Sequence, residues 1–414
     1  MTRALVVGAG LSGLACALRL ADGGAPVTVI AAGAGSLGLG GATIDLLGYG
    51  PELVPRPLEA LDGLAAGHPY ALLGPARVAA AVAWLGERLP GIALHGDGSE
   101  NLLLATALGA VRPTAAAPAA VAAGDLRAGG AVVFAGVRPL RDFFPALVAA
   151  NAGASSRVRV EARAAEADVD VRGDADASPV ALARALELPE ERGRVTAALR
   201  AAIGDPGSAR IGLPAALGID RHAEVAAAVS DALGAEVFEV PTAPPSVPGI
   251  RLYRALTAEL RLLGARLIVG PAVVGGVRDG DRLAALEVQV SGRARTFPAD
   301  AVVLATGGLA AGGIELGRDG LREPVLGLPV AGDPGGERYG PDAFGEQPAD
   351  RAGIRVDARM RALGHDGSVV HPNVHAVGAL VHGAVPWREL SGNGLALATG
   401  LAAADAILEE RAHE

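Results

Sequence analysis

Lysine is absent from the 414 residues, so the 36 basic side chains are all arginine. Against 45 acidic residues they leave a net charge of -9, with the arginines scattered rather than bunched. That balance argues against non-specific nucleic-acid binding, which needs a basic face. Cysteine is almost absent. The single Cys16 excludes an intrachain disulfide and any self-contained cysteine cluster for zinc or iron–sulfur. It falls within the first helical pattern and is expected to pack there. Aromatic residues make up only 3%, yet hydrophobic residues reach 50%, so a large core can form and global disorder is excluded. No run approaches the ~20 uninterrupted apolar residues that span a bilayer. The apolar run from Ala4 is broken by glycines and has no basic segment beyond Arg3, which argues against a signal peptide and predicts a cytoplasmic chain.

What is abundant is glycine, 59 residues, and its placing carries most of the reading. Ala4-Leu5-Val6-Val7 has the continuous apolar character of a strand buried in a parallel sheet. Gly8-Ala9-Gly10-Leu11-Ser12-Gly13 follows, a helical pattern runs to Leu20, and Pro26-Val27-Thr28-Val29-Ile30 reads as a second strand. Residues 31–45 are glycine-rich and irregular, as a loop lying over a ligand would be. Residues 76–245 read as an inserted domain, with helices over 76–88 and 179–202. Its Ala/Pro stretch from Ala115 to Ala123 is expected at the surface. A helix from Leu252 then leads into strands over 266–269, 284–290, 293–297 and 301–305, read as a small antiparallel meander. A short strand at 375–379 and a helix from about Gly394 to Glu410 complete the pattern.

Gly8-x-Gly10-x-x-Gly13, between a strand and a helix, has the spacing of a dinucleotide diphosphate loop. Gly8 permits the tight turn, Gly10 lets the backbone approach the phosphates, and Gly13 lets the helix pack on the strand. The helix N-terminus offers free N–H groups to the anion. One part is missing. The end of the second strand, where Asp or Glu would take the ribose hydroxyls, carries Ala31-Ala32. Asp22, ahead of that strand, reads as a solvated helix-end charge. Two later signals narrow the class. Ala305-Thr306-Gly307-Gly308 ends an apolar strand in Thr-Gly, as flavoproteins of the two-dinucleotide type do near their cofactor. Gly378 follows the strand at 375–379, and Ser391-Gly392-Asn393-Gly394 opens a helix whose N-terminus can stabilise negative charge on a reduced isoalloxazine. In this order the three point to flavin rather than nicotinamide. The predicted fold is α/β: a Rossmann-type, two-dinucleotide-binding flavoprotein. Residues 1–75 and 246–414 form a discontinuous flavin-binding domain, and 76–245 form an inserted α+β domain for substrate or partner.

Several further segments are unusual. They are Gly41-Ala42-Thr43-Ile44-Asp45-Leu46-Leu47, Leu140-Arg141-Asp142-Phe143-Phe144-Pro145, the proline-rich run from Pro241 to Leu252, and Gly320 to Leu328. On them, nearly end to end, the chain resembles the B-subunit family of the anaerobic glycerol-3-phosphate dehydrogenase, bacterial flavoproteins. The resemblance implies oxidation of sn-glycerol 3-phosphate to dihydroxyacetone phosphate, with electrons passed towards quinone. It implies two partners, a catalytic flavoprotein A-subunit and a membrane-associated iron–sulfur C-subunit, and through them a peripheral place at the inner face of the cell membrane. It implies FMN, whereas the glycine fingerprint alone suggests FAD. Thr43 joins the glycines, Thr306 and Asn393 as an expected cofactor contact. Asp45 is either a helix cap or a flavin contact.

Arg251 and Arg322, in two of these segments, are each read as a phosphate-binding fork or a structural ion pair. His382 is either the base that takes a hydroxyl proton or a satisfied loop histidine. His371 and His375 are separated by Pro372, which argues against a metal site, and none is expected. Two rival readings stay open: a self-sufficient flavin oxidoreductase of the fumarate-reductase kind, and a non-catalytic flavin electron-transfer protein.

Overall fold

The computed structural model describes residues 3–173, 176–318, 320–332 and 340–413. Ala4–Val7 is buried along its whole length, and so is Ala301–Leu304. Strands with no polar face must be covered on both sides, and these lie side by side in the middle of a five-stranded sheet. The strand order is Arg266–Val269, Val27–Ala31, Ala4–Val7, Ala301–Leu304, Val374–Ala376, every pairing parallel. The helices Leu11–Asp22 and Gly392–His413 pack against each other, close enough that a Cβ on Gly400 would stand 2.5 Å from the Ser12 carbonyl oxygen. The meander is shifted from its expected place. Its strands are Ala272–Asp279, Arg282–Val290 and Arg293–Pro298, while Arg266–Val269 and Ala301–Leu304 belong to the parallel sheet. The first of the three contains Gly275-Gly276, which weakens its strand signature in the sequence.

A second sheet has the order Val237–Val240, Arg210–Pro214, Gly130–Val137, Val160–Ala167, again all parallel. Helices such as Pro145–Ala154 and His222–Leu233 connect its strands, and Phe134 meets Phe238 edge-on at 6.1 Å in its core. The expected helix over 179–202 is two helices, Pro179–Leu186 and Pro189–Ile203, because Pro189 cannot continue the first. Val78, Ala81, Val82 and Leu85 of the Pro75–Arg88 helix pack into the core of the first sheet. So do Ala115 and Ala116, both fully buried. The surface expectation for this stretch is corrected: the Ile44 N–H donates to Ala116 O at 2.7 Å, and Ala115 and Ala116 donate back to Ile44 O. Alanine is used here for close approach between two backbones.

Candidate flavin site

The three glycine signals meet at the C-terminal edge of the first sheet. Gly8 leaves its strand with φ +113, and a Cβ there would stand 2.2 Å from Ala305 O, so only glycine fits. A Cβ on Gly13 would stand 2.0 Å from Gly8 O, which ties the helix start to the same turn. Gly10 is different. Its φ of -76 and ψ of -179 suit any residue, and nothing lies within 4 Å of where its Cβ would be. The described residues therefore do not require glycine at position 10, and the space beside its backbone is open. Thr306 follows the Ala301–Leu304 strand, and its Oγ1 is buried with no partner among the described residues. Beside it Gly307 takes φ +81. Gly378 packs on the first helix, since its Cβ would stand 2.6 Å from Ser12 Oγ, and its N–H donates to Thr399 Oγ1 at 2.8 Å.

The final helix begins at Gly392, against the Gly41–Leu47 segment. Asn393 Nδ2 donates to Thr43 O at 2.8 Å, and the Gly394 N–H donates to Asp45 O at 3.0 Å. A helix start in this position brings partial positive charge to the Thr43–Asp45 segment. Behind it, Glu389 accepts from Ser391 Oγ–H, from the Val385 N–H and from His68 Nε2. With His68 Nδ1 accepting from the Tyr70 N–H, the neutral ring carries its proton on Nε2. Burial would raise the Glu389 pKa, but the hydrogen bonds from His68, Val385 and Ser391 outweigh it and hold the carboxyl below its usual range. An open diphosphate loop, an orphaned buried hydroxyl and a helix N-terminus together fit a flavin nucleotide.

Residues 3–395 match the family model described as FAD binding domain. The chain is 34% identical to the probable anaerobic glycerol-3-phosphate dehydrogenase B-subunit of Halobacterium salinarum, over 98% of this chain and 97% of that one. It is 33% identical to the corresponding B-subunit of Pectobacterium atrosepticum over 98% of each chain. This chain belongs to the anaerobic glycerol-3-phosphate dehydrogenase B-subunit family. It is a flavoprotein oxidoreductase. Among solved structures, 3-ketosteroid Δ1-dehydrogenase from Sterolibacterium denitrificans aligns with a TM-score of 0.45 at 11% identity, covering 99% of this chain and 100% of that one. That likeness is too distant to bear on function.

Within this member of the B-subunit family, the two arginines expected to bind phosphate are paired with carboxylates. Arg251 lies in the Val247–Leu262 helix with its guanidinium buried, Nη1 and Nη2 donating to Glu239 and Nε to Gly218 O at 2.8 Å. Those bonds make it an internal strut, since the fork it would offer a phosphate is engaged. Arg322 is exposed on the Gly320–Arg322 strand and pairs with Glu315 across a hairpin. His382 stands between Gly332 and Gly353; its Nδ1 is buried without a partner among the described residues. His371 and His375 each turn Nδ1 to a backbone carbonyl, of Asp281 and Arg359. Asp22 pairs loosely with Arg88 at 3.7 Å. One charged residue of the site was not anticipated. Arg112, on the Val111–Thr114 strand, donates to Thr43 Oγ1 and to both carboxylate oxygens of Asp45. No motif surrounds it, and only its pairing across the chain reveals it.

Proposed function

We propose that this chain is the flavin-carrying component of a multi-subunit enzyme that oxidises sn-glycerol 3-phosphate to dihydroxyacetone phosphate and passes the electrons towards quinone. The names of its relatives support the substrate and the division into subunits. Gly10 is the observation in the structure that supports a nucleotide most directly, because its backbone and surroundings would accept a larger residue if no ligand lay there. FAD is the proposed cofactor, favoured by the FAD-binding family match and the intact Gly8–Gly13 loop. FMN is the second reading, favoured by Ala31 and Ala32 where a ribose-binding acid would stand.

A bound flavin supplies the acceptor for the hydride that leaves C2 of the substrate. The chain must hold the substrate, exclude water and take the hydroxyl proton. His382 is proposed for the last task. Burial, with the charges of Arg355 and Arg351 nearby, lowers its pKa, so the ring is neutral at pH 7 as a proton acceptor must be. The single cysteine cannot ligate an iron–sulfur cluster. Onward transfer is therefore assigned to partners, a flavoprotein A-subunit and a membrane-associated iron–sulfur C-subunit. Attachment to the inner face of the membrane is proposed to run through them; no helix among the described residues is long and apolar enough to cross a bilayer.

The test is anaerobic addition of sn-glycerol 3-phosphate to the purified, flavin-loaded chain. Loss of the oxidised flavin absorbance is expected. Bleaching only when the A-subunit is added would instead make this chain an electron carrier.

A further inference from the structure

Arg112 reaches from the insert to the Thr43–Asp45 segment of the flavin domain. Its Nη2 donates to Asp45 Oδ2 at 2.7 Å, and its Nη1 to Asp45 Oδ1 at 3.3 Å and Thr43 Oγ1 at 3.2 Å. The side chain of Asp45 is 6% exposed, whereas that of Arg112 is 34% exposed. A guanidinium carries five N–H donors in a rigid fork. Three are engaged here, which among the described residues leaves the edge formed by Nε–H and the second Nη2–H. That edge has the geometry that takes two oxygens of a phosphate. The same Thr43–Asp45 segment receives the start of the final helix through Asn393 and Gly394. A fixed cation and a helix N-terminus thus converge on one stretch of chain. Of the two arginines expected to bind phosphate, Arg251 has Nε, Nη1 and Nη2 all engaged, and Arg322 lies exposed on a separate hairpin.

We propose that Arg112 binds the anionic group of the substrate, a phosphate monoester of a small polyol, and that Asp45 and Thr43 are positioning residues that hold its fork. The proposal rests on the reading that this chain itself holds the substrate beside its flavin. Asp45 occupies the end of the guanidinium and holds it in place, and the Arg112 side chain stays 34% exposed. The phosphate gains a bidentate contact without having to separate an ion pair first.

The test uses the full-length chain with its flavin, titrated with inorganic phosphate and with sn-glycerol 3-phosphate by calorimetry, while absorbance reports flavin content. Arg112→Ala is expected to weaken both ligands by about ten- to a hundred-fold, the range for charged hydrogen bonds, with flavin still stoichiometric. Arg112→Lys, which keeps the charge but not the fork, should weaken them several-fold. It carries the test if the alanine variant does not fold, and full affinity in it would overturn the assignment. Asp45→Asn should change phosphate affinity only when Arg112 is present; an equal change in the Arg112→Ala background would overturn the positioning role. Unchanged binding in Arg112→Ala would leave Arg112 an interdomain strut, and loss of flavin would make it a cofactor contact. Both outcomes overturn the proposal while leaving the flavoprotein reading intact. A wild-type, flavin-loaded chain that binds neither ligand would defeat both the assignment and the reading beneath it.

Discussion

Arg251 and Glu239 form a two-bonded pair inside the protein, Nη1 to Oε2 at 2.7 Å and Nη2 to Oε1 at 2.8 Å, with the Glu239 side chain wholly buried. The pair joins the helix Val247–Leu262 to the Val237–Val240 strand of the insert. Burial would raise the Glu239 pKa, but the Arg251 charge and its hydrogen bonds outweigh this and lower it. Removing one member of a buried pair leaves the other charge unsolvated, at a cost of about 3–5 kcal/mol. Arg251→Ala should therefore lose stability by that margin, measured by denaturant unfolding. A variant as stable as the parent, with weakened substrate binding, would return Arg251 to the substrate side.

Gly8 and Gly10 should respond in opposite ways to the addition of a side chain. Gly8→Ala forces a side chain into positive φ and onto the Ala305 carbonyl. Strain of that kind costs about 1–3 kcal/mol before the clash is counted, so lower thermal stability is expected. Gly10→Val meets no such obstacle and should keep the parent's circular dichroism and the melting temperature of the flavin-free parent. It should lose the flavin, because the added side chain stands in the diphosphate's place. Stoichiometric flavin in a folded Gly10→Val protein would contradict the assignment of this loop.

His375 makes stability depend on pH. Its ring is sealed in the core, and burial lowers its pKa from the usual 6.5 to about 4. Above pH 6.5 the ring is neutral in both folded and unfolded chains. Between 6.5 and 4 the unfolded chain binds a proton that the folded one refuses, so stability falls as pH falls across that window. At about 1.4 kcal/mol per pH unit, the loss sums to about 3 kcal/mol. Denaturation across this range should show that slope, and His375→Gln should flatten it. An unchanged slope in the variant would place the titrating group elsewhere.

The cofactor half of the site was legible because glycine spacing records steric demands that are local in sequence. Gly13 answers to the Gly8 carbonyl within one turn, and the helix start at Gly392–Gly394 is marked by its own Ser-Gly-Asn-Gly run. Of the parallel strands, Ala4–Val7 and Val27–Ala31 were legible from their apolar character, whereas Arg266–Val269 and Ala301–Leu304 were read into the meander and the second sheet was not placed. Ala115–Ala117 was misplaced because small residues look alike whether they cover a surface or let two backbones touch. The Ala272–Asp279 strand was missed because Gly275-Gly276 interrupts its alternation. Arg112 and Arg251 could not be sorted in advance. Both pair with buried carboxylates, Asp45 and Glu239, and those partners lie 67 and 12 residues away in the sequence.

The most direct measurement of the central claim is the flavin released when the purified chain is denatured, identified by mass and counted per chain. One flavin nucleotide per chain is predicted, with the mass of FAD; the mass of FMN would keep the site and transfer the choice to the missing ribose acid. A folded chain, purified or reconstituted with either nucleotide, that releases no flavin would contradict the account.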